Sequence, residues 1–297
     1  MMARMNRMEW TCVCGWFYLG LLAMHPIHAS EPDAGTGIID VASKELVESS
    51  GLASSNVTEG YFWSHNDSGG AAKLFAFDTK GTLTGSAIID GAEAIDWEDM
   101  AAFVDEGKPK LLIADVGDNA AKRKSVTLYV IDEPDPRKHG RVKPLQVFKL
   151  TYPDGPRDCE AVAVDMAGRK VILVSKSFLP LASVYAMALP RAPQVTDVEL
   201  QRVGTLAVPL VSAMDADAKS GDLILVNYLQ CFRFADALKH DDAWIKQVPE
   251  VTDLPRLRQV EAVAVDQRGE IWVTSEGNPT KLTRVPRSKK SEAKKGQ

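Results

Sequence analysis

Two stretches decide the fold. The first is Asp158-Cys-Glu-Ala-Val-Ala-Val-Asp165, then Met-Ala-Gly-Arg, then Lys170-Val-Ile-Leu-Val-Ser-Lys176. The second is Glu261-Ala-Val-Ala-Val-Asp266, then Gln-Arg-Gly, then Glu270-Ile-Trp-Val-Thr-Ser-Glu276. Each reads as two apolar strands joined by a glycine-containing turn. The same pattern recurs as Asp96-Trp-Glu-Asp-Met-Ala-Ala-Phe-Val-Asp105 with Lys110 to Asp115, and as Ser212-Ala-Met-Asp-Ala-Asp217 with Asp222 to Asn227. A more degenerate copy runs Glu48-Ser-Ser-Gly-Leu-Ala53 and Tyr61-Phe-Trp-Ser-His65. With Ser50, Glu98, Glu160, Ser212 and Glu261 as equivalent points, the intervals are 48, 62, 52 and 49 residues. A period of about 40–50 residues built from strand pairs is that of propeller blades.

Each copy continues into a third short strand, and most into a fourth: Thr84 to Asp90, Leu145 to Thr151, Glu199 to Val208 and Trp244 to Val248. The last copy stops after three. The missing strand stands at the other end of the chain, where Thr36-Gly-Ile-Ile-Asp40 echoes Thr84-Gly-Ser-Ala-Ile-Ile-Asp90. The sequence therefore predicts an all-β propeller of five four-stranded blades closed by the N-terminal strand, which removes free sheet edges. Six blades would need one hidden in the 62-residue interval, whose excess reads as loop through Asp132-Glu-Pro-Asp-Pro-Arg-Lys-His-Gly-Arg141.

The ends of the chain carry different signals. Arg4 and Arg7, an apolar run from Trp10 to Met24, and Ala29 before Ser30 read as a signal peptide over residues 1–29. The run falls short of the ~20 residues that span a bilayer, so an exported (periplasmic or secreted) protein with no transmembrane segment after cleavage is expected. Residues 30–285 form the propeller, and residues 286–297 a basic, disordered tail with five lysines and arginines against Glu292. Over the whole chain the net charge is −5, with 45% hydrophobic and 25% charged residues. That composition excludes a wholly disordered chain and offers no basic field for nucleic acid. Cys12 and Cys14 leave with the signal, and no lipoprotein box precedes them. Cys159 and Cys231 remain, in apolar runs that read as two buried thiols rather than a disulfide scaffold.

Topology places the polar residues. The first strand of a blade leaves one face and the second returns to it. Residues before the first strand (Asp96, Glu98, Asp158, Glu160, Glu261) thus share a face with those after the second: His65-Asn66-Asp67, Asp115-Val-Gly-Asp118-Asn119, Lys176 and Glu276. Matched glutamates near the channel repel one another unless a proton or a cation sits among them. Carboxylate and amide oxygens suit a hard cation, above all calcium. Glu98, Glu160 and Glu261 are the expected metal ligands. His65, Asp67 and Asp96 are the candidates for a base, and Asn66, Asp115, Asp118, Asn119 and Asp158 for contacts to a ligand. Turn chemistry on each blade alone is the plainer account of the same acids. On the opposite face Asp105, Asp165, Asp217 and Asp266 each precede a tight turn and read as structural.

Trp63-Ser-His-Asn-Asp-Ser-Gly69, Asp96-Trp-Glu-Asp-Met100 and Asp115-Val-Gly-Asp-Asn119 together resemble a group of secreted bacterial propeller proteins of largely unassigned activity. The layout is similar to gluconolactonase-type and esterase-like phytase propellers, whose channel-mouth carboxylates and asparagines hold a divalent cation. The resemblance implies a cation among Glu98, Glu160, Glu261, Asn66 and Asn119. Those propellers have six blades and this chain five, a departure that bears on any carry-over of catalysis. No Gly-x-Ser-x-Gly, His-Glu-x-x-His or phosphate-binding glycine loop occurs. The expected function is a monomeric, cation-binding propeller that holds a small molecule, a polysaccharide or an envelope protein. The alternative is a calcium-dependent hydrolase of an ester, lactone or phosphoester.

Overall fold

The computed structural model describes residues 37–192 and 195–286. These form five small sheets arranged as a five-bladed β-propeller. Blade 1 holds Ser49–Ser54, Tyr61–Asn66, Lys73–Asp78 and Leu83–Ile89; blade 2 holds Trp97–Asp105, Lys108–Asp115, Val126–Asp132 and Gln146–Thr151. Blade 3 holds Cys159–Asp165, Lys170–Ser175, Ala182–Ala188 and Gln201–Leu206; blade 4 holds Ala213–Asp217, Asp222–Val226, Gln230–Phe234 and Glu250–Asp253. Blade 5 takes Val260–Val265, Ile271–Ser275 and Lys281–Arg284 from the C-terminal part of the chain, and its fourth strand is Ile39–Asp40. Ile39 pairs with Leu282 and Asp40 with Lys281, antiparallel, so the ring closes as the sequence predicts.

The first strands touch one another around the axis. They are almost wholly buried, so Cys159–Asp165 and Val260–Val265 read as runs of valine and alanine, and Ser49–Ser54 as mostly small residues, rather than as alternating patterns. Outer strands alternate, as Leu83–Ile89 does, because one side meets solvent. Five separate apolar cores lie in the structure, one at each interface between neighbouring blades. The closing segment adds Val41 and Leu46, both fully buried, to the core between blades 5 and 1.

Three local expectations change. Residues 132–141 are not only loop: His139–Val142 adds a fifth, parallel strand to blade 1. Just before that strand, Glu133 is buried and accepts bonds from Ser55 Oγ (2.5 Å) and Trp63 Nε1 (3.1 Å), fastening the excursion to blade 1. The 199–208 stretch likewise splits. Val195–Glu199 runs parallel to Gln146–Thr151 as a fifth strand of blade 2, and Gln201–Leu206 is the fourth strand of blade 3. Trp244 to Val248 is not a strand; Asp241–Lys246 is a short 3-10 helix that buries Trp244 against Phe234, with ring centroids 5.4 Å apart. The true fourth strand of blade 4 begins six residues beyond Trp244, at Glu250. An aromatic anchor in an apolar run reads the same way from sequence in either element.

Cys159 and Cys231 are free and buried, as expected. Residues 1–29, read from sequence as a signal peptide, and residues 287–297 of the expected tail lie outside the described residues. Among those described, no helix is long and apolar enough to cross a membrane.

Candidate functional site

The pairing between first and second strands slips at the same place in four blades. Register breaks between Ser49 and Gly51, Trp97 and Asp99, Cys159 and Ala161, and Val260 and Ala262. The residue left out of the ladder is Ser50, Glu98, Glu160 or Glu261. A β-bulge re-aims the side chain it carries. Here it frees one residue per blade at the channel mouth, and in three of the four that residue is a glutamate. In blade 4 pairing starts cleanly at Ala213. Ser212, just before it, donates from Oγ to Val260 O on blade 5 at 2.8 Å.

Among the described residues two groups of three carboxyls result: Asp67, Asp96 and Glu98, and Glu98, Asp158 and Glu160, each with oxygens within 4.8 Å of one another. Glu98 belongs to both and is 4% exposed. Asp67 and Asp96 are brought together by backbone pairing, because Trp97 N donates to Asp67 O at 3.1 Å and Ser68 bridges to Asp96. Glu98 Oε2 also accepts from Ser50 Oγ at 3.3 Å. Gly117 lies over the centre. A Cβ there would collide with Glu98 Oε1 and stand 2.6 Å from the Asp96 carboxyl. Glycine is needed for space, so that the 116–119 turn can cross the carboxyls.

Crowded acids in a dry place hold their protons. Burial raises Glu98 well above the usual carboxylate range, and the charges of Glu160, Asp67 and Asp96 push the same way. Burial and neighbouring Asp96 lift Asp67 to about 7. Burial lifts Glu160 to about 7 although Lys176 opposes it. Asp96 is raised too, by burial first. Lys176 Nζ lies 3.0 Å from Glu160 and 5.5 Å from the centre of the Tyr228 ring. Burial pulls its ammonium down, but Glu160 and Tyr228 raise it by more, so it stays charged.

The remaining predicted residues divide clearly. Asp115 is fully buried; its Oδ1 accepts from Asp96 N (3.0 Å) and pairs with Arg123 (2.8 Å), so it supports the Asp96 turn. Asp118 takes Arg123 N and gives its own N–H to Asp158 Oδ1 at 3.0 Å. Asn119 is exposed at the tip of that turn. Asn66 Oδ1 accepts from Val47 N and Glu48 N while its amide nitrogen donates to Glu45 O, so its side chain is engaged in holding residues 45–48. Glu261 stands apart from both carboxyl groups, bonded by Gln259 Nε2 at 3.3 Å; burial and Glu276 raise it to about 8. His65 is fully buried, edge-on to Trp97 at 5.2 Å, and burial lowers it to about 4. It is neutral at physiological pH.

Two carboxyls of the channel are not among the site residues expected from the sequence, although Asp215-Ala-Asp217 with Gly221 partly mimics a calcium loop that lacks its later ligands. Asp99 Oδ2 accepts from Val162 N (2.8 Å) on blade 3 and Met214 N (3.1 Å) on blade 4. Asp215 Oδ2 accepts from Val265 N (2.8 Å) on blade 5. Both tie inner strands whose inward N–H groups have no ladder partner. Burial lifts Asp215 to about 7 and Asp99 well above its usual range. A signal was available. Counted from the five equivalent points, the Asp99 position is Gly51, Ala161, Ala213 and Ala262 in the other repeats, and the Asp215 position is Ala53, Ala101, Ala163 and Ala264. On the opposite face Asp165, Asp217 and Asp266 each accept from their own turn, as expected, whereas Asp105 pairs with Arg169 of the next blade.

No family model matches the chain, and no curated protein does. Solved structures do. One is a gluconolactonase from Xanthomonas campestris, at 13% identity over 84% of this chain and 90% of that one, with a TM-score of 0.45. Another is Mala s 1, the major allergen of Malassezia sympodialis, at 12% identity over 84% of this chain and 96% of that one, with a TM-score of 0.55. The likeness to the allergen is one of fold: this chain is similar to it as a β-propeller.

Proposed function

We propose that the protein is an exported propeller whose channel mouth holds a divalent cation, calcium by its donors, and presents it to an oxygen-bearing ligand outside the cell or in the envelope. The observation that carries this reading is the pair of carboxyl groups sharing buried Glu98, drawn from blades 1, 2 and 3. The donors fit. Calcium takes oxygens at about 2.4 Å, so two ligands of one ion lie at most about 4.8 Å apart. Gly117 also keeps the space above Glu98 and Asp96 free of side chain. Lys176 and Arg123 offset part of the negative charge, and burial with mutual repulsion raises the remaining carboxyls, a strain that a cation would relieve. Calorimetric titration with calcium tests the proposal. Glu98→Gln should abolish binding because both groups use that residue. Glu261→Gln decides whether Glu261 also contributes a ligand. A protein that takes up no calcium, magnesium or manganese sinks the reading.

A second reading, a cation-dependent hydrolase of an ester, lactone or phosphoester, is favoured by one feature. Asp67, raised to about 7, stands beside Asp96 with one oxygen buried and unbonded. A carboxylate with a free oxygen beside a cation that polarises a substrate oxygen is what hydrolysis requires. Asp67 or Asp96 would take the proton; His65, the third candidate, lies buried beside Trp97. Under this reading Asp67→Asn should cut turnover by roughly 10²–10⁴-fold in a screen of lactones, aryl esters and phosphomonoesters with calcium. No turnover of any class leaves the binding function alone.

A further inference from the structure

The loops that carry Lys176 and Tyr228 away from the site expose several apolar side chains close together. After Lys176 the chain runs Ser177-Phe178-Leu179-Pro180-Leu181, and after Tyr228 comes Leu229. Phe178 is 89% exposed, Leu179 63%, Leu181 59% and Leu229 70%. Single exposed apolar residues are ordinary, but contiguous ones on a soluble surface mark a binding site. Among the described residues, these four are a third of the large hydrophobic side chains left exposed, and they sit on two adjacent loops.

The loops are tied together and to the site. Leu210 N donates to Ser177 O at 2.7 Å, and Asn227 Nδ2 donates to Pro209 O at 3.2 Å. The linker 209–210 thus joins them, while Lys176 reaches from one loop over the Tyr228 ring of the other. The apolar rim is therefore continuous with the acidic centre through Lys176 and Tyr228, on the side of blades 3 and 4.

We infer that the ligand of this face is amphiphilic, with a carboxylate or ester oxygen at the acidic centre and an alkyl or aryl part lying across Phe178, Leu179, Leu181 and Leu229. This rests on the cation-binding reading, which supplies the attraction for the oxygen head. The rim supplies what the head alone cannot, a preference for chain length. Carboxylates crowd the same face, so the charge there does not favour pressing it flat against an anionic membrane.

The test uses the full chain loaded with calcium and a series of sodium n-alkanoates, from acetate through butyrate and hexanoate to octanoate, titrated by calorimetry. Each methylene that reaches the rim should tighten binding about fourfold. Chelator should abolish binding of every member. The double variant Phe178→Ser, Leu229→Ser changes only exposed side chains; it should flatten the series while its calcium titration stays unchanged. A flat series in the unaltered protein that still binds calcium overturns the inference and leaves the cation site standing. A slope that survives in the double variant overturns it as well. Co-sedimentation with phosphatidylcholine vesicles that the double variant loses, combined with a flat series, assigns the rim to a membrane surface instead. Absence of calcium binding removes the cation reading and this inference with it.

Discussion

The crowded carboxyls make a quantitative forecast: affinity for calcium should rise steeply between pH 6 and pH 8. Asp67 and Glu160, one in each carboxyl group, hold their protons to about pH 7, and a cation in either group must displace that group's proton. A ligand with a pKa near 7 weakens binding about elevenfold at pH 6 and hardly at all at pH 8, so affinity changes by about tenfold over that interval. Glu98, raised still further and common to both groups, adds to the effect. At a calcium concentration of 100 times the pH 8 dissociation constant, stabilisation is about 2.7 kcal/mol, and at pH 6 the same calcium gives about 1.4 kcal/mol. For a domain of this size those figures correspond to Tm increments of roughly 5–11 °C and 3–6 °C. Without calcium the sign reverses. A carboxyl whose pKa is higher in the folded state than in the unfolded one favours folding when protonated, so its contribution is full below pH ~4 and is lost as pH rises through about 7. The chelated protein should therefore melt lower at pH 8 than at pH 5, while the calcium-loaded protein resists that fall. Thermal melts at pH 6, 7 and 8, with calcium or chelator, read both limbs. Calorimetry in two buffers of different ionisation enthalpy should count at least about half a proton released per ion at pH 7. Equal calcium-induced shifts at pH 6 and pH 8 would refute the placement of the ion among the carboxyls that share Glu98.

Gly117→Ala should drive Glu98 and Asp96 apart and lower calcium affinity by about 10–100-fold, with the melt in chelator little changed; calorimetry that shows native affinity contradicts the role given to Gly117. Asp99→Ala strands Val162 N, Met214 N and Met100 N at about 1–3 kcal/mol each, offset in part by removing a buried carboxyl. A net loss of about 3–6 kcal/mol is expected in denaturant titration, and a loss below 1 kcal/mol argues against an inter-blade tie. A chain beginning at Lys44 gives up the Ile39–Asp40 strand and buried Val41, worth about 1.5–3 kcal/mol for the valine alone; melting like the longer chain would contradict closure by this strand.

How much of this was legible in the sequence differs between fold and site. Strand pairs, their turns and their period are local properties of residues close in the chain. Asp217-Ala-Lys-Ser-Gly221 and Asp266-Gln-Arg-Gly269 declare their turns wherever they occur, and the spacing of equivalent points counts the blades. Even the closing strand was readable, because Gly37-Ile-Ile-Asp40 repeats the end of a blade. The face on which Asp67, Asp96, Glu98, Asp158 and Glu160 converge follows from strand direction alone. Where periodicity is silent the reading faltered, as with Trp244, which a 3-10 helix buries as readily as a strand would.

What touches what was decided by the ring. Glu98, Glu160 and Glu261 are equivalent in their repeats, yet only the first two join a common cluster, since Glu261 turns to Gln259 and Glu276. Lys176 pairs with Glu160 of its own blade but reaches Tyr228 only because blades 3 and 4 are neighbours. Asp99 and Asp215 look out of place among alanines until the inner strands of other blades bring them N–H groups that lack a partner. The sequence by itself determined five blades, their closure and the face that holds the acids, because hydrogen-bonded strand pairs and turns form between residues close along the chain. Tertiary structure alone decided which acids share protons, which are tied to backbone and where the apolar rim meets them, because those contacts join different blades, as Asp99 does with Val162 and Met214 63 and 115 positions away.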